Sequence, residues 1–586
     1  MRRFLALGIL VALVGTAASS ATPTASPTAF GRGGAAATVD VLATSAAIDV
    51  LEDGGNAVDA AVAAAAVLGV TEPFSCGIGG GGFMVVYDGH GRGHGRVTTI
   101  DHRETAPAAM RPDSFMESGS PLAFNAARYS GLSVGVPGTV RGWADALRRY
   151  GTISLDEALE PAIEVAREGF TVDQTFFDQT QLNVDWFDDV PASAALFLDP
   201  DGTPHDVGTV FRNPDLARTY QLLARRGAGS FYGGALADVI VSTVRQPPIS
   251  PTANHAWRPG LMQTSDLASY RAPERPPTHV NYRGLDVFSM GPPSSGGSTV
   301  GEALNILEGY PLSTMTRDEA LHYYLEASRY SFADRNAYLA DPDYFDVPLR
   351  GLLSKSFAAE RRSLITPTAA TSPVPPGDPA PHQIGEASAT STQAGTTTHL
   401  TVADRKGNVV SYTYTIESTG GAGLVVPGYG FLLNNELTDF NFDSTTHPNR
   451  ADGGKRPRSS MSPTIVTQHG KPVLALGSPG GSMIITTVLQ MLVERIDLGS
   501  SLPAAIANPR ASQRNTAATA GEPAFIASPE AAALRGRGHT FSTTPEIGAS
   551  TAIEFLPGRR VLAAAEPTRR GGGSAMVTRS RHDDDD

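Results

Sequence analysis

Thr396-Thr397-Thr398-His399 stands where a loosely composed polar stretch turns into a run of β-branched residues. A hydroxyl is a weak nucleophile near neutral pH unless a base sits beside it. Histidine is the usual base, but the 13 histidines here are scattered along the chain. No G-x-S-x-G elbow presents a serine, and no H-E-x-x-H pair holds a metal. A threonine at a newly made chain terminus needs no histidine, because its own α-amine, with a pKa of ~7.7 to 8.0, acts as the base within the residue. That chemistry requires a cut before a threonine. A flexible stretch feeding into a strand suits it, since the strand holds the nucleophile while the released end moves away. Read locally, the three threonines are also accounted for as a strand start, where β-branched side chains are favoured.

The elements that must position this seam are legible around it. "THLTVAD", "RKGN" and "VVSYTYT" read as strand, turn and strand, and "SPTIVTQHGKPVLALG" as a second such pair. A helix is expected over "MIITTVLQMLVERID", and others over "VRGWADALRRYG", "SLDEALEPAIEVAREG" and "TRDEALHYYLEASRYSFADRNAY". Nearer the N-terminus, "GNAVDAAVAAAAVLGV" predicts a buried helix with Asn56 as cap and Asp59 in its first turn, ending before Pro73. Gly77 to Gly82 formally satisfies G-x-G-x-x-G, but a helix precedes it and β-rich Phe83 to Tyr87 follows, the reverse of a dinucleotide-binding turn. Close backbone packing is the better reading. Alternating sheets and helices in this order suggest a layered α/β sandwich.

Arg2-Arg3, the apolar run Phe4 to Val14 and small residues to Ala21 have the pattern of a secretory signal over residues 1–21, so an extracellular or periplasmic protein is expected. The apolar run is shorter than the roughly 20 residues of a bilayer span, which argues against a stable membrane anchor. Residues 22–38 read as a flexible leader, and residues 366–395, rich in Pro, Thr, Ser and Ala, as a linker. The formal charge of −13 and the lack of basic runs argue against nucleic acid as a partner. One cysteine, Cys76, allows no internal disulfide and reads as a small buried hydrophobe. Nothing calls for a metal or other cofactor, and the terminal "HDDDD" reads as a solvated tail.

The stretch "TTTHLTVADRKGNVVSYTYTIESTGGAGLVVPGYGFLLNNELTDF" resembles the γ-glutamyltransferase family, as do "GGNAVDAAVAAAAVLGVTEPFSCGIGGGGFMVVYD", "DHRETAP", "GVPGTVRGW", "GPPSSGGST", "KRPRSSMSPTIV", "GSPGGS" and "EPTRRGGGSA", in the family's order. The resemblance implies an N-terminal-nucleophile hydrolase fold, a four-layer αββα sandwich. It also implies a precursor that cuts itself between Thr396 and Thr397. Fragments 39–396 and 397–586 would then pair as a heterodimer forming one interwoven domain.

Residue by residue, it implies Thr397 as nucleophile, Thr415 as the hydroxyl supporting it, and Gly480 and Gly481 as oxyanion donors. Arg103, Ser459 and Ser460 would grip the α-carboxylate of a γ-glutamyl group, and Glu417, Glu436 and Asp439 its α-ammonium. Many relatives have Asn at the position of Glu417 and often Gln at that of Glu436, so the acids here strengthen the expectation of a cationic ligand group. The implied donors are small γ-glutamyl compounds such as glutathione, with water or an amino acid or peptide as acceptor. Two alternatives remain: an acylase of the same fold acting on glutaryl or cephalosporin amides, and an uncleaved secreted binding protein. Between Asp439 and Ser459 the connection is shorter than in relatives that cover their substrate with a lid, which predicts a more open cleft.

Overall fold

The computed structural model describes residues 24–89, 95–379 and 396–579. The expected signal over 1–21, most of the linker and the acidic tail lie outside these residues. Fourteen strands build two seven-stranded sheets. In chain order they are β1 (Thr28–Arg32), β2 (Ala35–Thr38), β3 (Gly81–Asp88), β4 (Arg96–Asp101), β5 (Glu274–Arg275), β6 (Thr278–Tyr282) and β7 (Leu285–Ser289). After the seam come β8 (Thr398–Ala403), β9 (Val409–Thr415), β10 (Thr464–Gln468), β11 (Lys471–Gly477), β12 (Thr551–Leu556), β13 (Arg560–Ala565) and β14 (Ser574–Val577). The first sheet runs β1-β13-β12-β11-β10-β7-β6 and the second β14-β2-β8-β9-β3-β4-β5.

Strand alternation sorts the side chains into layers. Along β3, Met84 and Val86 join a core with α1 (Val41–Glu52) and α2 (Ala57–Thr71), whereas Val85 and Tyr87 turn the other way. There they meet Ile465, Ala475 and Ile553 of the first sheet. The far face of that sheet, through Val280, Val466 and Leu476, packs on α5 (Gly296–Leu307), α6 (Arg317–Tyr338) and α7 (Met483–Ile496). The result is helices, sheet, sheet, helices, the four-layer sandwich the resemblance implies. The helices α3 (Thr139–Tyr150) and α4 (Leu155–Glu168) also form where their patterns place them.

Asn56 caps α2 by accepting from the Val58 and Asp59 amides, and Asp59 accepts in turn from the Asn56 amide, closing a capping box. The glycines after α2 feed β3 rather than a helix. A Cβ at Gly81 would come within 2.5 Å of both Glu104 and the His102 carbonyl, so close packing is their reason. Cys76 is buried, with its thiol on the Tyr414 hydroxyl at 3.1 Å and its pKa pushed well up by burial.

Two expectations need correction. Residues 28–38, read as part of a flexible leader, form β1 and β2, and β2 is a wholly buried interior strand between β14 and β8. Its sequence AAAT has the small side chains of a linker because it sits between close neighbours. The start of the linker is likewise tied down. The Ala369 amide donates to Arg537 O at 2.8 Å, Val374 to Asn515 Oδ1 at 2.7 Å and Gly377 to Asp334 Oδ1 at 2.6 Å.

β8 carries the seam. His399 is fully buried between the sheets, its Nδ1 on Thr413 Oγ1 at 2.8 Å and Nε2 on Thr401 Oγ1 at 3.2 Å, against the bare backbone of Gly477. A Cβ at Gly477 would overlap that imidazole ring. Gly477→Ala should therefore cost about 1–3 kcal/mol by overpacking, read as a drop in denaturant midpoint with unchanged m-value.

Candidate active site

Three threonines compete at the seam, and the sheet decides between them. Thr398 pairs with Tyr414 and His399 with Thr413 across β8 and β9. The side chains of residues 399 and 401 point between the sheets, while those of 400 and 402 join the helix-side core. Thr397 follows the 399 side. Its Oγ1 donates to Thr415 Oγ1 at 3.3 Å, at the end of β9. Thr398 faces the other way, its hydroxyl buried without a partner, and Thr396 Oγ1 turns to the Phe74 carbonyl at 3.4 Å.

The Thr415 hydroxyl is fully used. It donates to the Thr396 carbonyl at 2.8 Å and accepts from Thr397 Oγ1 and from the Glu417 amide at 2.8 Å. One hydroxyl thus touches the Thr397 hydroxyl and polarises the carbonyl of the peptide bond before Thr397. Arg570 Nη1 donates to the Thr397 carbonyl at 2.6 Å and fixes the other side of the residue. Nearby His399 is neutral, its pKa pushed down to about 3 by burial, and both its ring nitrogens are engaged within the sheets.

Thr397 opens onto a cavity of ≈ 40 Å³, lined also by Arg103, Thr415, Glu417, Glu436, Asp439, Ser459, Ser460 and Gly481. Of the expected site residues only Gly480 does not line it. It lies behind Gly481, against Gly548. Gly480 and Gly481 have φ of 128° and 55° and lead into α7, whose first amides, Met483 and Ile484, donate to the Gly480 and Gly481 carbonyls at 3.1 Å. Left-handed backbone there is the reason for glycine.

The charged side chains that line the cavity pair with one another. Arg103, just beyond β4 and 1% exposed, donates Nη1 to Glu436 Oε1 and Nη2 to Asp439 Oδ2 at 2.6 Å. It reaches further to the carbonyls of Pro457 and Arg458 at 3.2 and 3.3 Å. Three clustered acids require a cation, and the chain itself supplies one to two of them. Glu436 Oε2 nevertheless remains buried without a hydrogen-bond partner. Glu417, at a left-handed φ of 80°, accepts from Ser418 Oγ and Asn435 Nδ2 on one oxygen. Burial, then the charge of Asp439, raises its pKa to about 7.

Ser459 Oγ accepts from the Met461 amide at 3.1 Å, and Ser460 Oγ from Arg335 Nη2 at 2.7 Å. No residue between Asp439 and Arg458 lines the cavity. That connection packs inward instead, with Asn449 Nδ2 on the Asp439 carbonyl at 2.7 Å and His447 Nε2 3.0 Å from Asn336 O. No metal-binding group of His, Cys, Asp or Glu occurs among the described residues.

Sequence reasoning missed Arg335, Arg458, Met461, Ser482 and Ile484 in the cavity wall, and Arg570 on the Thr397 carbonyl. The available signal was local: Arg458 adjoins Ser459 in "KRPRSS", and Arg570 lies in "EPTRRGGG". Arg335 is harder to see, because α6 is buried on nearly all sides, which its mixed sequence of charged and apolar residues does not reveal.

A family model for gamma-glutamyltranspeptidase matches residues 43–576. The glutathione hydrolase proenzyme of Bacillus subtilis (strain 168) is 38% identical, covering 94% of this chain and 92% of its own. The acylase ACY 1 proenzyme of Pseudomonas sp. (strain SE83) is 35% identical, covering 92% of each. Among solved structures, cephalosporin acylase from Bacillus halodurans superposes with a TM-score of 0.83 at 29% identity, over 96% of this chain and 98% of that one.

The raised pKa of Glu417 has a definite sign. Between its ordinary value of 4.5 and about 7 the folded chain holds a proton that the unfolded chain has lost, so stability falls as pH rises through that window. Glu417→Gln should remove this contribution, on the order of 3 kcal/mol across the window. Denaturant unfolding at pH 4.5 and 7.5 checks it: the variant should lose less stability between the two than the wild type.

Proposed function

Because the chain belongs to the gamma-glutamyltranspeptidase family, an enzyme family of glutathione hydrolases and γ-glutamyltransferases, we propose that it cuts itself between Thr396 and Thr397 and then cleaves γ-glutamyl amides through an ester on Thr397. The observation that carries this reading is the chain of contacts Thr397 hydroxyl, Thr415 hydroxyl, Thr396 carbonyl. In the first reaction Thr397 Oγ1 adds to the Thr396 carbonyl carbon, and collapse breaks the C–N bond to leave an ester and a free α-amine. Water then cleaves the ester, releasing the Thr396 carboxylate and restoring the hydroxyl.

In the second reaction the α-amine takes the proton of Thr397 Oγ1 as the oxygen attacks the γ-carbonyl of a donor. The tetrahedral oxyanion is received on the Gly481 side of the cavity, where the resemblance implies the Gly480 and Gly481 amides as donors, of a kind that contributes ~2.7 to 4 kcal/mol. The amine leaves with the proton, and water or an amino acid or peptide acceptor takes the γ-glutamyl group from the ester. Glu436 Oε2, buried without a partner, and the Glu417 and Asp439 carboxyls receive the donor's α-ammonium, with Ser459 and Ser460 at its carboxylate end. A glutaryl group would leave that Glu436 oxygen unpaired, which favours a γ-glutamyl over a glutaryl donor despite the acylase relatives. We place the enzyme outside the cytoplasm, on the signal pattern of residues 1–21, as a pair of fragments 39–396 and 397–586.

Thr397→Ala should give a single uncut polypeptide with no γ-glutamyl turnover, read by denaturing gel, intact mass and N-terminal sequencing. A cut or active variant would sink the proposal. Because no lid residue lines the cavity, kcat/KM should stay within about tenfold, roughly 1.4 kcal/mol, as the leaving group grows from a single amino acid to a γ-glutamyl oligomer. Steady-state kinetics on such a series checks this, and a steep fall with size would contradict it.

A further inference from the structure

Arg570 holds the Thr397 carbonyl from a turn that is kept under strain. Its Nη1 donates to that oxygen at 2.6 Å, while its own backbone stands at a left-handed φ of 54°. Gly571 and Gly572 follow at φ of 76° and 88°, a region that suits glycine and costs a residue with a Cβ. The turn is anchored by its neighbour. Arg569 donates Nε and Nη2 to the Glu522 carboxylate at 2.5 and 2.6 Å, and Nη1 to Glu566 Oε1 at 2.8 Å. A strained backbone position that keeps an arginine, between an anchor and two glycines, points to what the side chain does. Among the described residues its guanidinium forms no ion pair, and the oxygen it holds is neutral.

A cation on that carbonyl acts on the other end of the same residue. In a chain that begins at Thr397, covalent geometry places the α-nitrogen within ~6 Å of the guanidinium. A like charge so close disfavours the ammonium form. At an effective dielectric of about 20 to 80, it should lower the amine's pKa by about 0.5 to 2 pH units from the ordinary ~7.7 to 8.0. The opposing charge is Glu72, just past α2, on the turn whose Phe74 carbonyl accepts from Thr396 Oγ1 at 3.4 Å. Its carboxyl accepts from Ser75 Oγ at 3.2 Å, and burial raises its pKa to about 7 against the pull of Arg570. Glu546 meets Arg570 at the backbone amide, 3.3 and 3.4 Å away. Cys76 and His399 are buried and neutral. Across the cavity Glu417 is raised to about 7, and Arg103, Arg335 and Arg458 outnumber Glu436 and Asp439, so that wall does not cancel Arg570.

We infer that Arg570, opposed by Glu72, keeps the α-amine of Thr397 deprotonated at neutral pH, and is thus a positioning residue for the base of the reaction. This rests on the self-cleavage reading, since the amine exists only after the cut. A free amine is what Thr397 needs to give up its hydroxyl proton, and Arg570 enlarges the fraction that is free.

The test follows the amine itself by nitrogen NMR of the mature protein made with isotopically nitrogen-labelled threonine. An α-amine resonates far from the amides, and the amine signal missing from uncut Thr397→Ala belongs to Thr397. Its titration midpoint should lie below ~7.7 in the wild type. In Arg570→Met it should rise by at least about 0.5 pH unit, and in Arg570→Lys, which keeps the charge, it should stay near the wild-type value. An unmoved midpoint in Arg570→Met overturns the inference. If Arg570→Met stays uncut, Glu72→Gln decides: losing the opposing carboxylate should lower the midpoint, and an unmoved or raised one overturns the inference. The acid limb of kcat/KM for γ-glutamyl-4-nitroanilide should move with the amine in each variant, which loss of mere support would not produce. A limb that stays put while the amine moves overturns the role in catalysis. If the amine titrates as expected and no γ-glutamyl donor is turned over, the inference stands and the γ-glutamyl reading fails. If the wild type shows no such amine, the self-cleavage reading fails and the inference falls with it.

Discussion

The register between β8 and β9 is the constraint on which the rest of the site depends. It sets Thr398 opposite Tyr414 and so brings the Thr397 hydroxyl to the Thr415 hydroxyl at the strand ends. Because side chains alternate at a period of two, a slip of one residue would turn Thr397 toward the helix layer and present Thr398 in its place. Much of the nearby packing secures this register. His399 is clamped by Thr401 and Thr413, Gly477 leaves room for its ring, and on the other side of β9 the glycines of β3 let that strand approach closely.

Beyond Thr397, the site is a problem of charge in a small volume. Arg103 pairs with both Glu436 and Asp439 yet leaves Glu436 Oε2 without a partner, while Glu417 keeps its proton up to about 7. The Glu417 amide also donates to Thr415 Oγ1, so a residue whose carboxyl lines the cavity also holds the hydroxyl that contacts Thr397. Its left-handed φ of 80° is a local cost retained where these two contacts meet.

The sequence displayed the seam, the hairpins and the helices well, because strands and helices of this length announce themselves by period and by turn chemistry. The choice among the three threonines comes from the resemblance, anchored at His399; the residues alone leave it open. The motifs that resemble the family brought together all the cavity residues they named except Gly480. What stayed hidden depends on long-range burial. Strand β2 reads as linker, since Ala-Ala-Ala-Thr has no strand signature apart from the neighbours that enclose it. Arg335 goes unnoticed, since nothing in the local pattern of α6 reveals that both its faces are covered. The internal pairing of Arg103 is likewise a property of three segments meeting, and none of them specifies it alone.

The two sheets interleave strands from before the seam with strands from after it. In one, β8 and β9 lie between β2 and β3; in the other, the run from β13 to β10 is flanked by β1 and β7. In an intact chain these ladders close as intramolecular loops, whose entropic cost grows only slowly with length. After a cut at Thr396 the same ladders join two molecules. Falling apart would require unzipping interior strands, so the cut protein would persist through a high unfolding barrier, whereas recovery from denaturation would become a second-order process that fails on dilution. Such a molecule keeps its shape through the history of its folding, and its lifetime is set by a rate more than by an equilibrium.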